Sequence, residues 1–149
     1  KLYISFLVIL ISSKAFSQEI YEGNVQINSG IVLLSSPSGT PLTNIENRIH
    51  GDLDVNIFLE DRFAIGGGFD YVTSGLSRAA FSVGTRYYWV DAAFFRAKVH
   101  VPIDFSSFDV SAGLGYNYML GDNIGLESNL DYYIKSESAA FRFGIALFL

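Results

Sequence analysis

No cysteine occurs among the 149 residues. That excludes a disulfide framework, a thiolate metal site and a lipid-bearing N-terminal Cys. No apolar run reaches the roughly 20 residues that a membrane-spanning helix needs. No stripe at i, i+3, i+4, i+7 between caps marks an amphipathic helix either. Positive charge is sparse: 10 Lys and Arg stand against 15 Asp and Glu, a net charge of -5. No basic patch is interleaved with aromatics, and both observations argue against nucleic acid as a partner. Gly66-Gly67-Gly68 is no phosphate loop, because no helix pattern follows it.

What is present points to β-structure. Phe (13), Tyr (9) and Gly (14) are abundant, and half of the residues are hydrophobic. Eight segments alternate in character between turn signals. They run over about 23–34, 48–59, 62–73, 76–89, 92–101, 108–120, 123–135 and 139–149. Their lengths suit tilted membrane strands, which need about 9–11 residues across the hydrocarbon.

One phase of the alternation is free of charge in every segment. It includes Leu53, Val55, Phe69, Phe81, Val83, Phe95, Val99, Leu114 and Leu130, and at the end Phe141, Phe143, Ile145, Leu147 and Leu149. The other phase carries the acids Asp52, Asp54, Asp70, Asp109, Glu127 and Asp131. It also carries Arg78, Arg86, Arg96, Lys98, Lys135 and Arg142, with glycines between. A soluble barrel would turn the apolar phase inward; an outer-membrane barrel turns it outward. Small residues on the charged phase suit a narrow eight-stranded interior. The apolar phase holds too many large rings for that interior. Tyr87, Trp89, Tyr116, Tyr118 and Tyr132 sit near strand ends, where aromatic girdles belong.

The expected fold is therefore all-β: an eight-stranded, antiparallel, up-and-down transmembrane β-barrel over residues 18–149. Glu60-Asp61, Val90-Asp91 and Gly121-Asp122 are tight turns, expected on the periplasmic side with both termini. Residues 1–17 read as a signal peptide: Lys1, an apolar run from Leu2 to Ile11, then Ala15-Phe16-Ser17 as a cleavage site.

The tight turn before a small-residue strand recurs, at Glu60-Asp61-Arg62-Phe63-Ala64-Ile65-Gly66 and at Gly121-Asp122-Asn123-Ile124-Gly125. With Gly84-Thr85-Arg86-Tyr87-Tyr88 and Ala112-Gly113-Leu114-Gly115-Tyr116, it resembles the small eight-stranded outer-membrane β-barrels, outer-membrane protein A-like and porin-like. The resemblance covers residues 18–149 and implies the outer membrane of a Gram-negative bacterium. It also implies contact with outer-membrane lipids, lipopolysaccharide and the barrel-assembly machinery. Such proteins usually end in Phe; here Phe148 stands one place before Leu149.

Inside a barrel, balanced charges should pair rather than stand alone. The expected lumen network is Asp52, Asp54, Arg86, Arg96, Lys98, Glu127, Asp131 and Arg142, with Arg86, Arg96 and Arg142 bridging Asp52, Asp54 and Glu127. Phe141, Phe143, Ile145, Leu147, Phe148 and Leu149 are the expected barrel-insertion signal. His50 and His100 both fall on the charged phase. General-base chemistry on lipid would need a Ser beside a His on the lipid face, and Ser106, near His100, lies in a loop. Lumenal hydrogen bonding is the plainer reading. No metal or cofactor is expected. The function expected is a monomeric, non-enzymatic barrel with a structural, surface-contact or minor-permeation role. Its alternatives are an enzyme acting on lipid A or phospholipid, and a soluble periplasmic barrel binding an apolar ligand.

Overall fold

The computed structural model describes residues 22–37, 49–73, 78–105 and 108–149, with side chains described at 22–31, 51–71, 79–105 and 108–149. The signal-peptide reading of 1–17 and the side chains of His50 and Arg78 lie outside these. The strands are β1 (Val25–Pro37), β2 (Ile49–Glu60), β3 (Phe63–Thr73) and β4 (Arg78–Tyr88). They continue with β5 (Ala93–Pro102), β6 (Asp109–Met119), β7 (Ile124–Tyr133) and β8 (Ser138–Phe148). Each pairs antiparallel with its sequence neighbours, and β1 pairs antiparallel with β8, so the sheet closes. Closure gives every strand two partners, which hydrocarbon requires because no water is there to satisfy a free edge.

Strand geometry sends successive side chains to opposite faces. The charge-free phase points outward: Val83 is 69% exposed, Phe81 55% and Leu130 54%. Asp54, Arg86, Arg96, Lys98, Glu127, Asp131 and Arg142 are buried in the lumen. A soluble barrel reverses this arrangement. Among the described strand residues no charge lies on the outer phase.

The barrel has two unlike ends. On the turn side, β2–β3, β4–β5 and β6–β7 are joined tightly at 61–62, 89–92 and 120–123. Arg62 there takes a left-handed φ of 78° beside a register shift between Phe58 and Glu60. On the loop side, the chain leaves Pro37, Thr73, Pro102 and Tyr133. Phe105 and Glu137, at φ of 52° and 48°, lie in the last two of these connections.

Two expectations are corrected here. β1 runs on to Pro37, past the loop expected from Ser35. Lys135 falls on the charged phase by sequence count, but β7 stops at Tyr133 and the alternation ends with it. Lys135 is exposed in the β7–β8 turn, with Nζ 5.5 Å from the centre of the Phe108 ring.

Candidate functional site: the lumen

Among the described residues, three layers pack in the lumen. The middle layer is ionic. Arg86 on β4 grips Glu127 on β7 with two hydrogen bonds, of 2.6 and 3.0 Å. Lys98 on β5 holds both oxygens of Asp54 on β2, at 2.6 and 2.5 Å. Arg96 on β5 donates through Nε to Asp131 on β7 at 2.7 Å and pairs again through Nη2. Asp54 also lies 3.8 Å from Arg86 and 3.7 Å from Arg96, so its carboxylate ties three cations together. The cross-strand partner of Asp54 is Gly68. A Cβ at Gly68 would sit 2.0 Å from Asp54 Oδ1, so the carboxylate occupies the room that glycine leaves.

The loop-side layer is built around Arg142 on β8. Its guanidinium pairs with Asp52 and Tyr133, lies 3.5 Å from Asp70 and has Nε 3.4 Å from Asp131. His100 on β5 is held from both ring nitrogens. Nδ1 meets Asp70 Oδ2 at 2.7 Å, and Nε2 meets Ser111 Oγ at 2.8 Å.

The turn-side layer is aromatic. Phe58, Tyr88 and Phe94 are fully buried, with ring centres 5.7 Å apart (Phe58–Tyr88) and 5.1 Å apart (Tyr88–Phe94). Phe148 is buried as well. The Tyr88 hydroxyl donates to Gln26 at 3.1 Å and accepts from Asn117 at 2.8 Å. Arg86 lies over the Phe94 ring at 4.6 Å, joining this layer to the ionic one.

All eight residues of the expected network are thus brought together, with partners partly different from those expected. Arg86 meets Glu127 and Arg142 meets Asp52, but Arg96 takes Asp131, which leaves Asp54 mainly to Lys98. Asp109 lies apart from them. It sits at the loop-side rim and accepts the backbone N–H of Lys135 (2.8 Å) and Ser136 (3.1 Å). Phe141 is partly covered, while Phe143, Ile145, Leu147 and Leu149 face outward. Phe148, grouped with them in sequence, points into the aromatic layer. That layer and Ser111, the hydroxyl partner of His100, are not among the site residues expected from sequence.

Among the described residues, two small voids lie between the layers. One void of about 10 Å³ lies by Asp54, Ser82, Arg86 and Lys98, and another of about 10 Å³ by Asp52, Glu127, Asn129 and Arg142. Each has room for about one water molecule.

No family model and no characterised protein sequence matches the chain. Solved structures do. The chain is similar to a de novo designed transmembrane β-barrel, with a TM-score of 0.67, 14% identity, and 89% of this chain and 100% of that chain covered. It is similar to the N-terminal β-barrel domain of Pseudomonas aeruginosa OprF (TM-score 0.66, 12% identity, 86% and 98% covered). It is also similar to Ail, the attachment invasion locus protein of Yersinia pestis (TM-score 0.56, 10% identity, 86% and 99% covered). At such identities the likeness is one of fold: the chain has the closed eight-stranded architecture of the small outer-membrane barrels.

Proposed function

We propose that this chain is an integral outer-membrane protein of a Gram-negative bacterium, with a sealed lumen and a structural and surface-contact role. The observation that carries the reading is the inversion of the fold: apolar side chains outside, charged side chains within. Burying outward-facing side chains such as Val83 and Leu130 in hydrocarbon stabilises the barrel by roughly 1.5–3 kcal/mol each. Lipids and lipopolysaccharide surround it, the barrel-assembly machinery inserts it, and it works as a monomer without metal or cofactor.

The seal has two parts. The ionic layers leave voids for about one water each, and the aromatic layer closes the turn side with rings. A hydrated ion needs more room than either provides. Wild-type protein in planar bilayers is therefore expected to show no steady conductance, while membrane fractionation recovers it only with detergent. A large, sustained conductance would sink the sealed-lumen reading. Recovery in the aqueous phase would sink the membrane reading.

One observation favours a rival. Asp70, His100 and Ser111 stand in the hydrogen-bond order of a nucleophilic serine site. Ser111, however, is 1% exposed and faces the lumen, not lipid. A buried, lumen-facing hydroxyl suits packing better than attack on a lipid ester, so we assign the three residues to the polar packing. Covalent labelling of Ser111 by a fluorophosphonate probe, lost in Ser111→Ala, would restore the enzyme reading.

A further inference from the structure

We propose that the outer face of β5, β6 and β7 carries a seat for one anionic, phosphate-bearing lipid of the loop-side leaflet. The proposal rests on the membrane reading above and names a site on that surface. Three observations converge on this sector.

The first is a cation at the rim. Lys135 is exposed and stands over the Phe108 ring at 5.5 Å. The Asp109 carboxylate close by is taken up by the backbone N–H groups of Lys135, Ser136 and Val110. A lysine whose ammonium stands over an aromatic ring at a membrane edge holds its charge at the headgroup layer.

The second is apolar surface beneath that cation, continuous with the lipid-facing phase. Phe108 is 62% exposed and Ile134 58%. The Ile134 N–H bonds to the Val110 carbonyl at 2.8 Å, which fixes the turn against β6. Side chains so placed are covered by acyl chain, not water.

The third is a recess of about 660 Å³ lower on the same sector. Ala97 and Ala112, cross-strand partners on β5 and β6, form its floor. Phe95, Leu114, Leu130 and Tyr132 form its walls. Ala112 is four residues along β6 from Phe108, which is about 13 Å of strand. One leaflet contributes about 15 Å of a hydrocarbon core of about 30 Å. A single lipid can therefore set its phosphate against Lys135 and lay an acyl chain across Phe108 into the recess.

The test uses the whole barrel in nanodiscs of mixed phosphatidylglycerol and phosphatidylcholine, released into detergent, with retained lipid counted by native mass spectrometry. One phosphatidylglycerol per barrel is expected to stay. Lys135→Gln should lower its retention about fivefold, the equivalent of the ~1 kcal/mol that one Lys contributes near an anionic surface. Ala112→Leu fills the recess and should abolish retention of either lipid, whereas Val55→Ile on β2 should leave it unchanged. Inorganic phosphate should not displace the lipid. Equal retention of both lipids, indifference to Lys135→Gln and Ala112→Leu together, displacement by phosphate alone, or a second barrel in place of the lipid each overturns the seat. A heat-modifiable gel reads folding separately. A barrel that folds in the disc without retaining lipid defeats the seat only; one that fails to enter the disc defeats the membrane reading as well.

Discussion

The ring of Phe94 fills the space that a side chain at Gly115 would take. The two residues are cross-strand partners on β5 and β6. A Cβ at position 115 would lie 2.1 Å from Phe94 Cζ. The ring cannot simply swing aside, because Tyr88 packs on it at 5.1 Å and Arg86 lies over it at 4.6 Å. Gly115→Ala should therefore destabilise the barrel by about 1–3 kcal/mol, the usual cost of overpacking. Urea unfolding from lipid vesicles measures it. Phe94→Leu in the same chain should recover part of the loss by shortening the obstructing side chain.

The Arg86–Glu127 pair tests which layer does the sealing. Removing one partner of a buried pair leaves an uncompensated charge and costs about 3–5 kcal/mol. Glu127→Ala should lose about that much, moderated by Asp54 at 3.8 Å from Arg86. It should still conduct no ions, because the Phe58–Tyr88–Phe94 layer remains on the turn side. Glu127→Ala combined with Phe94→Ala breaches both layers, although Lys98–Asp54, Arg96–Asp131, Phe58 and Tyr88 stay in place, and should be the first of these variants to conduct. Single-channel recording in planar bilayers separates the two outcomes.

The period of two made the inside and outside legible from sequence, because strand geometry imposes it residue by residue. Partner choice was not legible in the same way. Arg96 meets Asp131 across β6, and that depends on register and closure, which no local pattern encodes. The aromatic layer does leave a signal in the sequence. Phe58 continues the phase of Asp54 and Asn56, Tyr88 follows Arg86, and Phe94 precedes Arg96. Apolar residues on the charged phase at one strand end are a plug. Lys135 is the opposite case: it keeps the charged phase by count, but its strand ends at Tyr133. Ser111 lies 11 residues from His100 in sequence, and only the pairing of β5 with β6 brings it alongside.

Arg62 shows two small effects in competition. Its left-handed backbone, at φ of 78°, costs a non-glycine residue about 1–2 kcal/mol. Against this stands an ion pair to Asp91 at 3.6 Å between half-exposed side chains, and a surface pair of that kind contributes about 0–1 kcal/mol. The backbone term is the larger. Arg62→Gly should therefore stabilise the barrel slightly or leave it unchanged, and Arg62→Val should destabilise it by more than 1 kcal/mol. Thermal shift of the folded band on a heat-modifiable gel ranks the three.

His100 couples Asp70 to Ser111, and the coupling can be measured. Ser111→Ala removes one hydrogen bond, with an expected cost of about 1 kcal/mol. His100→Phe keeps much of the ring volume but removes both contacts. Asp70 then depends on Arg142 at 3.5 Å among its described ion-pair partners. Loss of a hydrogen bond to a buried carboxylate costs about 1–3 kcal/mol, so His100→Phe should exceed Ser111→Ala. If Ser111 serves only to satisfy His100, adding Ser111→Ala to His100→Phe should cost nothing further. The double-mutant cycle then closes with a coupling energy equal to the whole effect of Ser111→Ala. An undiminished effect of Ser111→Ala in the His100→Phe background would show that Ser111 has a second partner in the lumen.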